Sequence, residues 1–213
     1  MKTIDIDAIR DLVEYMGQVI IKNEVYFCEL DSVAGDGDFG MSVAKGFISL
    51  QEEWESLSKD SIGSFLQDAG MVITEYCGGA SGPIWGSAFR GAGRYVGEKK
   101  TLNLTEFSDM LDASVLGIQK RGKAELGDKT LLDALIPTVN ALKLSAEKEE
   151  DFYLAFEKGA AAAREGAEKT KHMVAKKGRA SYVGDRSLNF PDAGAMALGI
   201  IFTELSQFMT KQQ

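Results

Sequence analysis

Apolar residues recur three and four positions apart in segment after segment of this chain. The clearest run consists of Ile62, Phe65, Leu66, Ala69, Val72, Ile73 and Tyr76. This spacing gathers the apolar side chains on one face of an α-helix, and the alternation typical of strands is almost absent. The pattern predicts eight helices of similar length, at 5–29, 39–57, 61–76, 80–99, 104–122, 130–146, 151–168 and 191–211.

The connections between these helices are mostly short, and no Pro-rich or Ser-rich linker divides the chain. Short connections favour antiparallel neighbours, so we expect an all-α fold, an eight-helix up-and-down bundle or barrel that forms a single domain over residues 1–213. The segment from about 170 to 190 is different, because it lacks a sustained apolar period and carries several basic residues. It is predicted to be a long ordered or lid-like loop.

The composition excludes several classes of partner and site. Lys and Arg number 24 against 32 Asp and Glu, so the net charge of −8 argues against nucleic acid and anionic membranes. No apolar run reaches the length of a membrane span, and the first residues lack the apolar core of a signal peptide, which predicts a cytoplasmic protein. Cys28 and Cys77 lie far apart outside any CxxC spacing, so we expect buried, reduced thiols.

Three aspartates, Asp31, Asp36 and Asp38, lie within eight residues, and glycines are interleaved with the last two. Carboxylates this close repel one another unless a hard cation neutralises them, and such oxygen-rich loops suit Mg²⁺ or Ca²⁺. An EF-hand is excluded because the twelfth positions, counted from Asp31 and Asp36, are Ser42 and Phe47 instead of Glu. A solvated acidic turn is the alternative reading.

Four unusual segments fall at predicted helix junctions. They are the aspartate segment 31–38, Gly78-Gly-Ala-Ser-Gly-Pro83, Gly127-Asp-Lys-Thr130 and Lys177-Gly-Arg-Ala-Ser-Tyr182. In an up-and-down bundle the junctions alternate between the two ends, and these four follow the first, third, fifth and seventh predicted helices. All four should therefore meet at one end and form one candidate site.

The glycine-rich segment 78–83 opens a predicted helix, where free N–H groups and the helix dipole favour an anion such as phosphate. It lacks the Gly-Lys-Ser/Thr ending of a Walker A loop, and close backbone packing at a helix start is the alternative. Lys129 and Arg179 could offset phosphate charge or could be ordinary surface cations. The only histidine, His172, gives little support to histidine-based catalysis.

In combination, these segments resemble the L subunit of dihydroxyacetone kinase over nearly the whole chain. The matching motifs, in order, are Gly35-Asp-Gly-Asp-Phe-Gly40, Gly78-Gly-Ala-Ser-Gly-Pro83, Arg121-Gly-Lys-Ala-Glu-Leu-Gly-Asp-Lys-Thr130, Gly178-Arg-Ala-Ser-Tyr182 and Asp192-Ala-Gly194. The resemblance implies an eight-helix barrel that binds ADP or ATP at one end. It also implies two Mg²⁺ ions held by Asp31, Asp36 and Asp38.

The resemblance further implies residue roles and partners. Residues matching the family's phosphate-lining positions are Phe39, Gly40, Met41, Ser42, Ala80 and Ser81, and those that would help hold the nucleotide are Gly122, Leu131, Arg179, Asp192, Ala193 and Gly194. No catalytic side chain is assigned to this chain. A separate K-type subunit would hold the ketose, and an M-type subunit of the phosphotransferase system would rephosphorylate bound ADP. The length of the chain fits this three-subunit arrangement better than a fused kinase.

The chain departs from the family pattern at two places. Phe39 and Ser42 stand where the family usually has His and often Asn, and Phe190-Pro191 and Ala193 replace the usual His-Gln and Pro. We therefore read the chain as a divergent paralogue. A non-catalytic nucleotide-sensing or interaction module is the alternative function, and an acidic helical scaffold without a ligand is a third. The sequence does not identify the ketose, and it leaves the oligomeric state open, a homodimer included.

Overall fold

The computed structural model describes residues 1–211, in which nine α-helices and one two-stranded sheet are formed. The helices are α1 (Ile6–Lys22), α2 (Glu24–Ser32), α3 (Phe39–Glu52), α4 (Ile62–Tyr76), α5 (Ser81–Val96), α6 (Leu104–Gly122), α7 (Leu132–Glu147), α8 (Phe152–Lys169) and α9 (Ala193–Lys211). The strands are β1 (Thr3–Asp5) and β2 (Thr101–Asn103), and short 3-10 turns cover Trp54–Ser56, Thr170–His172 and Arg179–Ser187. The predicted all-α class is confirmed.

The helices form a closed ring. From α3 to α9 each helix packs against the next, α9 packs against α1, and α1 packs against α3, while the short α2 packs mainly against α3. The stripes predicted from the sequence face the inside of this ring, where Phe107 packs on Phe152 and Phe156 with ring centroids 5.7 and 5.4 Å apart. The centre of the ring retains an apolar cavity of about 140 Å³.

The first predicted helix, 5–29, is two helices in the structure. The chain breaks at Asn23, whose side-chain amide donates to the carbonyl oxygen of Val19 at 2.8 Å and whose backbone leaves the helical region at φ −101° and ψ 11°. An asparagine side chain that bonds to a nearby backbone carbonyl competes with helix continuation. The consequence is a separate short helix, α2, which buries only Phe27.

The sheet was not predicted from the sequence. Strands β1 and β2 pair antiparallel, with Thr3 opposite Asn103, and bury Ile4 and Leu102. Strands of three residues are too short to show a period of two. The pair lies at the end of the ring where α5 ends and α6 begins, and there Phe152 also donates its N–H to the carbonyl oxygen of Met1 at 3.2 Å.

Two further predictions concern thiols and membranes. Cys28 and Cys77 are both unpaired, and Cys77 is buried while Cys28 is only half-buried. Burial raises the pKa of the Cys77 thiol to about 11, so this thiol stays protonated at neutral pH.

Among residues 1–211, no helix combines the length and the apolar character that crossing a bilayer requires.

Helix α3 approaches the end of α4 so closely that only glycine fits at position 46. A Cβ atom at Gly46 would lie 2.1 Å from Cys77 Sγ and 3.1 Å from the Cys77 backbone nitrogen. We expect Gly46→Ala to lower the free energy of unfolding by about 2 kcal/mol, measured by urea titration, because the two segments must separate. Gly159→Ala is the matched control, since its Cβ would meet neighbours at an ordinary 3.5 Å. An equally stable Gly46→Ala variant would contradict this close packing.

Candidate functional site

A cleft of about 340 Å³ opens at the end of the ring where α2 ends and where α3, α5, α7 and α9 begin. All four segments singled out in the sequence contribute to its wall, as the alternation of junctions predicts. Residues assigned by resemblance that line it are Asp31, Asp36, Asp38, Phe39, Ser42, Ala80, Ser81, Gly122, Leu131, Arg179, Asp192, Ala193 and Gly194. The volume lies within the usual range for small-molecule sites.

Gly40 and Met41 were assigned to the same site but do not line the cleft. Gly40 lies in the first turn of α3 and is buried against α2, where a Cβ atom would lie 1.9 Å from the carbonyl oxygen of Glu24. The Met41 N–H donates to Cys28 Sγ at 3.3 Å, and its side chain is largely exposed. These two positions therefore serve the packing of α3 on α2, which places Phe39 and Ser42 at the cleft.

The three aspartates converge. One carboxylate oxygen from each of Asp31, Asp36 and Asp38 lies within 4.8 Å of the other two. The loop is built around Asp31, whose backbone oxygen accepts the N–H of Gly35 at 2.6 Å and whose Oδ2 accepts the N–H of Gly37 at 2.9 Å. Gly37 has a φ of +76°, which favours glycine. The arrangement presents hard oxygen ligands of the kind that Mg²⁺ and Ca²⁺ prefer.

The two ends of the ring differ in how their helices are capped. Helices α1, α4, α6 and α8, which begin away from the cleft, are capped by the side chains of Asp5, Ser61, Asn103 and Asp151. Four helices begin at the cleft. Asp192 caps α9, and Thr130 Oγ1 accepts the Leu132 N–H at the start of α7, but the residues before α3 and α5, Asp38 and Ala80, make no side-chain cap. The dipoles of α3 and α5 direct positive potential into the cleft, which favours an anionic ligand.

The glycine-rich segment before α5 lies against the start of α3. The Gly78 N–H donates to the carbonyl oxygen of Ser42 at 3.3 Å, and a Cβ atom at Gly78 would lie 2.8 Å from Ser42 Oγ. Gly79 adopts a φ of +54° with open space around it. The close backbone packing predicted as the alternative is present, and it brings two helix starts side by side at the cleft.

Lys129 is neither a surface cation nor free to bind phosphate, the two roles that the sequence suggested. It is 2% exposed, and its Nζ donates to the carbonyl oxygens of Met173 at 3.1 Å, Ser187 at 2.5 Å and Phe190 at 2.8 Å. An ammonium group has three N–H donors, so none remains for a phosphate oxygen. Burial lowers the pKa of Lys129, although the nearby Asp192 carboxylate opposes this shift.

Arg179 lies at the cleft, beside the aspartate cluster. It belongs to the exposed tip of the 170–190 segment, and its Nη1 donates to Asp36 Oδ2 in an ion pair between segments 143 residues apart. The guanidinium thus occupies the position of a cation beside the aspartate cluster. His172 is exposed in the same segment.

Asp192 lies at the opposite wall, at the start of α9. Its Oδ2 accepts the N–H of Ala195 at 2.8 Å, and its own N–H donates to Thr170 Oγ1 at 2.8 Å. Burial raises the pKa of the Asp192 carboxyl to about 7, while the bond from Ala195 acts in the opposite direction.

Two aromatic side chains, Phe39 and Phe190, also line the cleft. Phe39 packs on Phe27, with ring centroids 6.2 Å apart. Phe190 has 45% of its surface exposed. The sequence comparison had named both as departures from the family pattern, Phe39 within a motif and Phe190 just before one.

A family model described as the DAK2 domain matches residues 33–207. The ADP-binding subunit DhaL of the PEP-dependent dihydroxyacetone kinase of Escherichia coli (strain K12) is 35% identical, over 85% of this chain and 87% of that protein. The ADP-binding subunit DhaL of PEP-dependent dihydroxyacetone kinase 2 of Listeria innocua is 36% identical, over 90% and 91%. The L-erythrulose kinase of Pectobacterium atrosepticum is 33% identical, over 88% of this chain but 32% of its own length.

A similar fold is found in the crystal structure of the dihydroxyacetone kinase of C. freundii, with a TM-score of 0.76 and 23% identity. The match covers 93% of this chain and 34% of that chain, so the chain spans about a third of that structure. The same kinase has been solved in complex with AMP-PNP and Mg²⁺, with a TM-score of 0.74. These relatives confirm the resemblance that the motifs indicated.

Asp133 fixes the turn that carries Lys129. Its buried carboxylate accepts the N–H of Gly127 at 2.6 Å and that of Thr130 at 2.8 Å. We expect Asp133→Asn to lower the free energy of unfolding by about 2 kcal/mol, because an amide can accept only one of these N–H groups well. Urea titration measures the loss, with the exposed Asp60→Asn as the matched control. Equal stability of the two variants would show that the turn does not depend on this carboxylate.

Proposed function

Because the chain belongs to the DAK2 domain family, we propose that it is the nucleotide-binding subunit of a dihydroxyacetone-type kinase, which phosphorylates a short ketose. The observation that carries the proposal is the composition of the cleft, where three aspartates lie with two helix starts, those of α3 and α5, that have no side-chain cap. Carboxylates and positive helix ends in one cleft suit a cation bound together with a polyanion. A Mg-nucleotide has this combination.

Asp31, Asp36 and Asp38 would hold Mg²⁺, and we propose two ions. The residues fit the group, because the oxygens already converge and the Asp38 side chain makes no cap bond that a cation would have to displace. Bound Mg²⁺ would neutralise phosphate charge. Two ions bring +4 against −3 from the aspartates and about −4 from ATP, so one further cation is favourable. Arg179 lies beside the cluster and can supply it.

The rest of the nucleotide would lie along the remaining wall of the cleft. Ser42, Ala80 and Ser81 stand at the starts of α3 and α5 and would face the phosphates. Gly122, Leu131 and residues 192–194 would hold the nucleoside. No side chain of the cleft is assigned as a nucleophile, since phosphoryl transfer depends mainly on positioning and on neutralising charge.

The proposed partners follow from the relatives. The DhaL proteins are matched along most of their length and are named as ADP-binding subunits of PEP-dependent kinases. We propose that a K-type subunit holds the ketose and that an M-type phosphotransferase-system subunit rephosphorylates ADP on this chain. A non-catalytic nucleotide-binding module is the second candidate, because Phe39 at the cleft cannot donate a hydrogen bond to a phosphate.

Nucleotide binding can be tested with one carboxylate. We expect Asp38→Asn to weaken MgADP binding in calorimetry by about tenfold or more, because it removes a charged metal ligand while keeping the side-chain shape. The exposed Asp60→Asn is the matched control and should bind as the unmodified chain does. Unchanged binding by Asp38→Asn would remove the aspartate cluster from the proposed site.

Reconstitution with cognate K-type and M-type subunits separates the two candidate functions. We expect phosphoryl transfer to the ketose, lost in Asp38→Asn and faster in Phe39→His, since an imidazole can donate a hydrogen bond to phosphate. The measurement is the turnover rate at saturating nucleotide. Tight MgADP binding without turnover, in the unmodified chain and in Phe39→His alike, would favour the non-catalytic module.

A further inference from the structure

Residues 173–190 connect α8 to α9 and cover one side of the cleft, although only short 3-10 turns give them regular structure. Their two ends are held close together: the Asn189 N–H donates to the carbonyl oxygen of Lys171 at 2.8 Å, and the Ala175 N–H donates to Ser187 Oγ at 3.0 Å. The exposed tip, which includes Arg179 and Tyr182, projects between these ends. We call residues 173–190 the cleft loop.

We infer that Lys129 is a positioning residue that clamps both ends of the cleft loop and thereby places Arg179 at the phosphate end of the cleft. This role rests on the proposed nucleotide site. It replaces direct phosphate binding by Lys129 with an effect transmitted through the loop.

The contacts of Lys129 carry the inference. Its three N–H donors bond to Met173 at one end of the loop and to Ser187 and Phe190 at the other. The partners are 44 to 61 residues away in the sequence, so a single side chain joins the Lys129 turn to both ends of the loop. The ammonium is almost fully buried, and removing it would leave three carbonyl oxygens without their donor.

The backbone of the 127–130 turn directs the Lys129 side chain toward the loop. Lys129 has a φ of +61°, a left-handed conformation that is costly for any residue with a Cβ atom. The bonds from Gly127 and Thr130 to Asp133 hold the turn in this shape. A second tie joins the same turn to the loop, where the Lys176 N–H donates to the carbonyl oxygen of Asp128 at 3.1 Å. The strained turn and the loop therefore form one unit.

The loop itself can be tested without nucleotide. Tyr182 is 87% exposed at the tip, so chymotrypsin cleavage after it, mapped by mass spectrometry, reports on loop order. We expect Lys129→Met to accelerate this cleavage about tenfold. Ser187→Ala, which keeps the ammonium but removes the acceptor of the Ala175 N–H, should accelerate it as well. Lys143→Met, a surface lysine paired with Asp112, is the control and should not. Unchanged cleavage in Lys129→Met would overturn the clamp.

A double-mutant comparison then separates positioning from direct contact. MgADP affinity is measured by calorimetry for Lys129→Met, Arg179→Ala and the double variant. If Lys129 acts by placing Arg179, each single variant binds about tenfold more weakly and the double variant is no weaker than the worse single one. Penalties that multiply in the double variant would show that Lys129 acts on the nucleotide independently.

Two safeguards keep the outcomes distinct. If Lys129→Met does not fold, Lys129→Gln, whose shorter side chain has only two N–H donors, is paired with Arg179→Ala in the same comparison, with the same expected non-additivity and the same contrary result. If the unmodified chain binds no MgADP, the proposed function fails, whereas the cleavage experiment still decides whether Lys129 clamps the loop.

Discussion

The alternation of helix direction around a closed ring is the constraint on which the rest of the structure depends. Because the connections between neighbouring helices are short, the chain reverses at each junction from α2 to α9, and every second junction returns to the same end. This alternation brings the aspartate loop, the glycine-rich turn, the Lys129 turn and the cleft loop to one end of the ring. Contacts between these segments, such as those of Lys129 and Arg179, then fix their relative positions.

The two ends of the ring have different chemistry although they are built from the same helices. At the far end, polar side chains complete the first turn of each helix, which is a purely structural use of Asp, Ser and Asn. At the cleft end Asp38 precedes a helix in the same way but leaves its carboxylate uncommitted. Aspartate before a helix usually caps it, but the Asp38 carboxylate lies instead with those of Asp31 and Asp36. The cleft end therefore has a carboxylate available for a ligand.

The sequence predicted the class, the order of the helices and the meeting of the four segments, because these depend on local periodicity and on parity. It did not predict the break at Asn23, since one interrupted residue barely disturbs a period of 3.6. The sequence also did not predict that Lys129 bonds to the cleft loop. Its partners are carbonyl oxygens of distant residues, and any sequence supplies carbonyl oxygens, so no side-chain pattern records the contact.

The small sheet has a consequence for how the chain can be attached to other molecules. Strand β1 holds the first residues against β2 at the end of the ring remote from the cleft, and Met1 is bonded there to Phe152. A polypeptide or surface linker joined ahead of Met1 would leave the ring from that side. Immobilisation through this end would therefore present the cleft to solution with its mouth unobstructed.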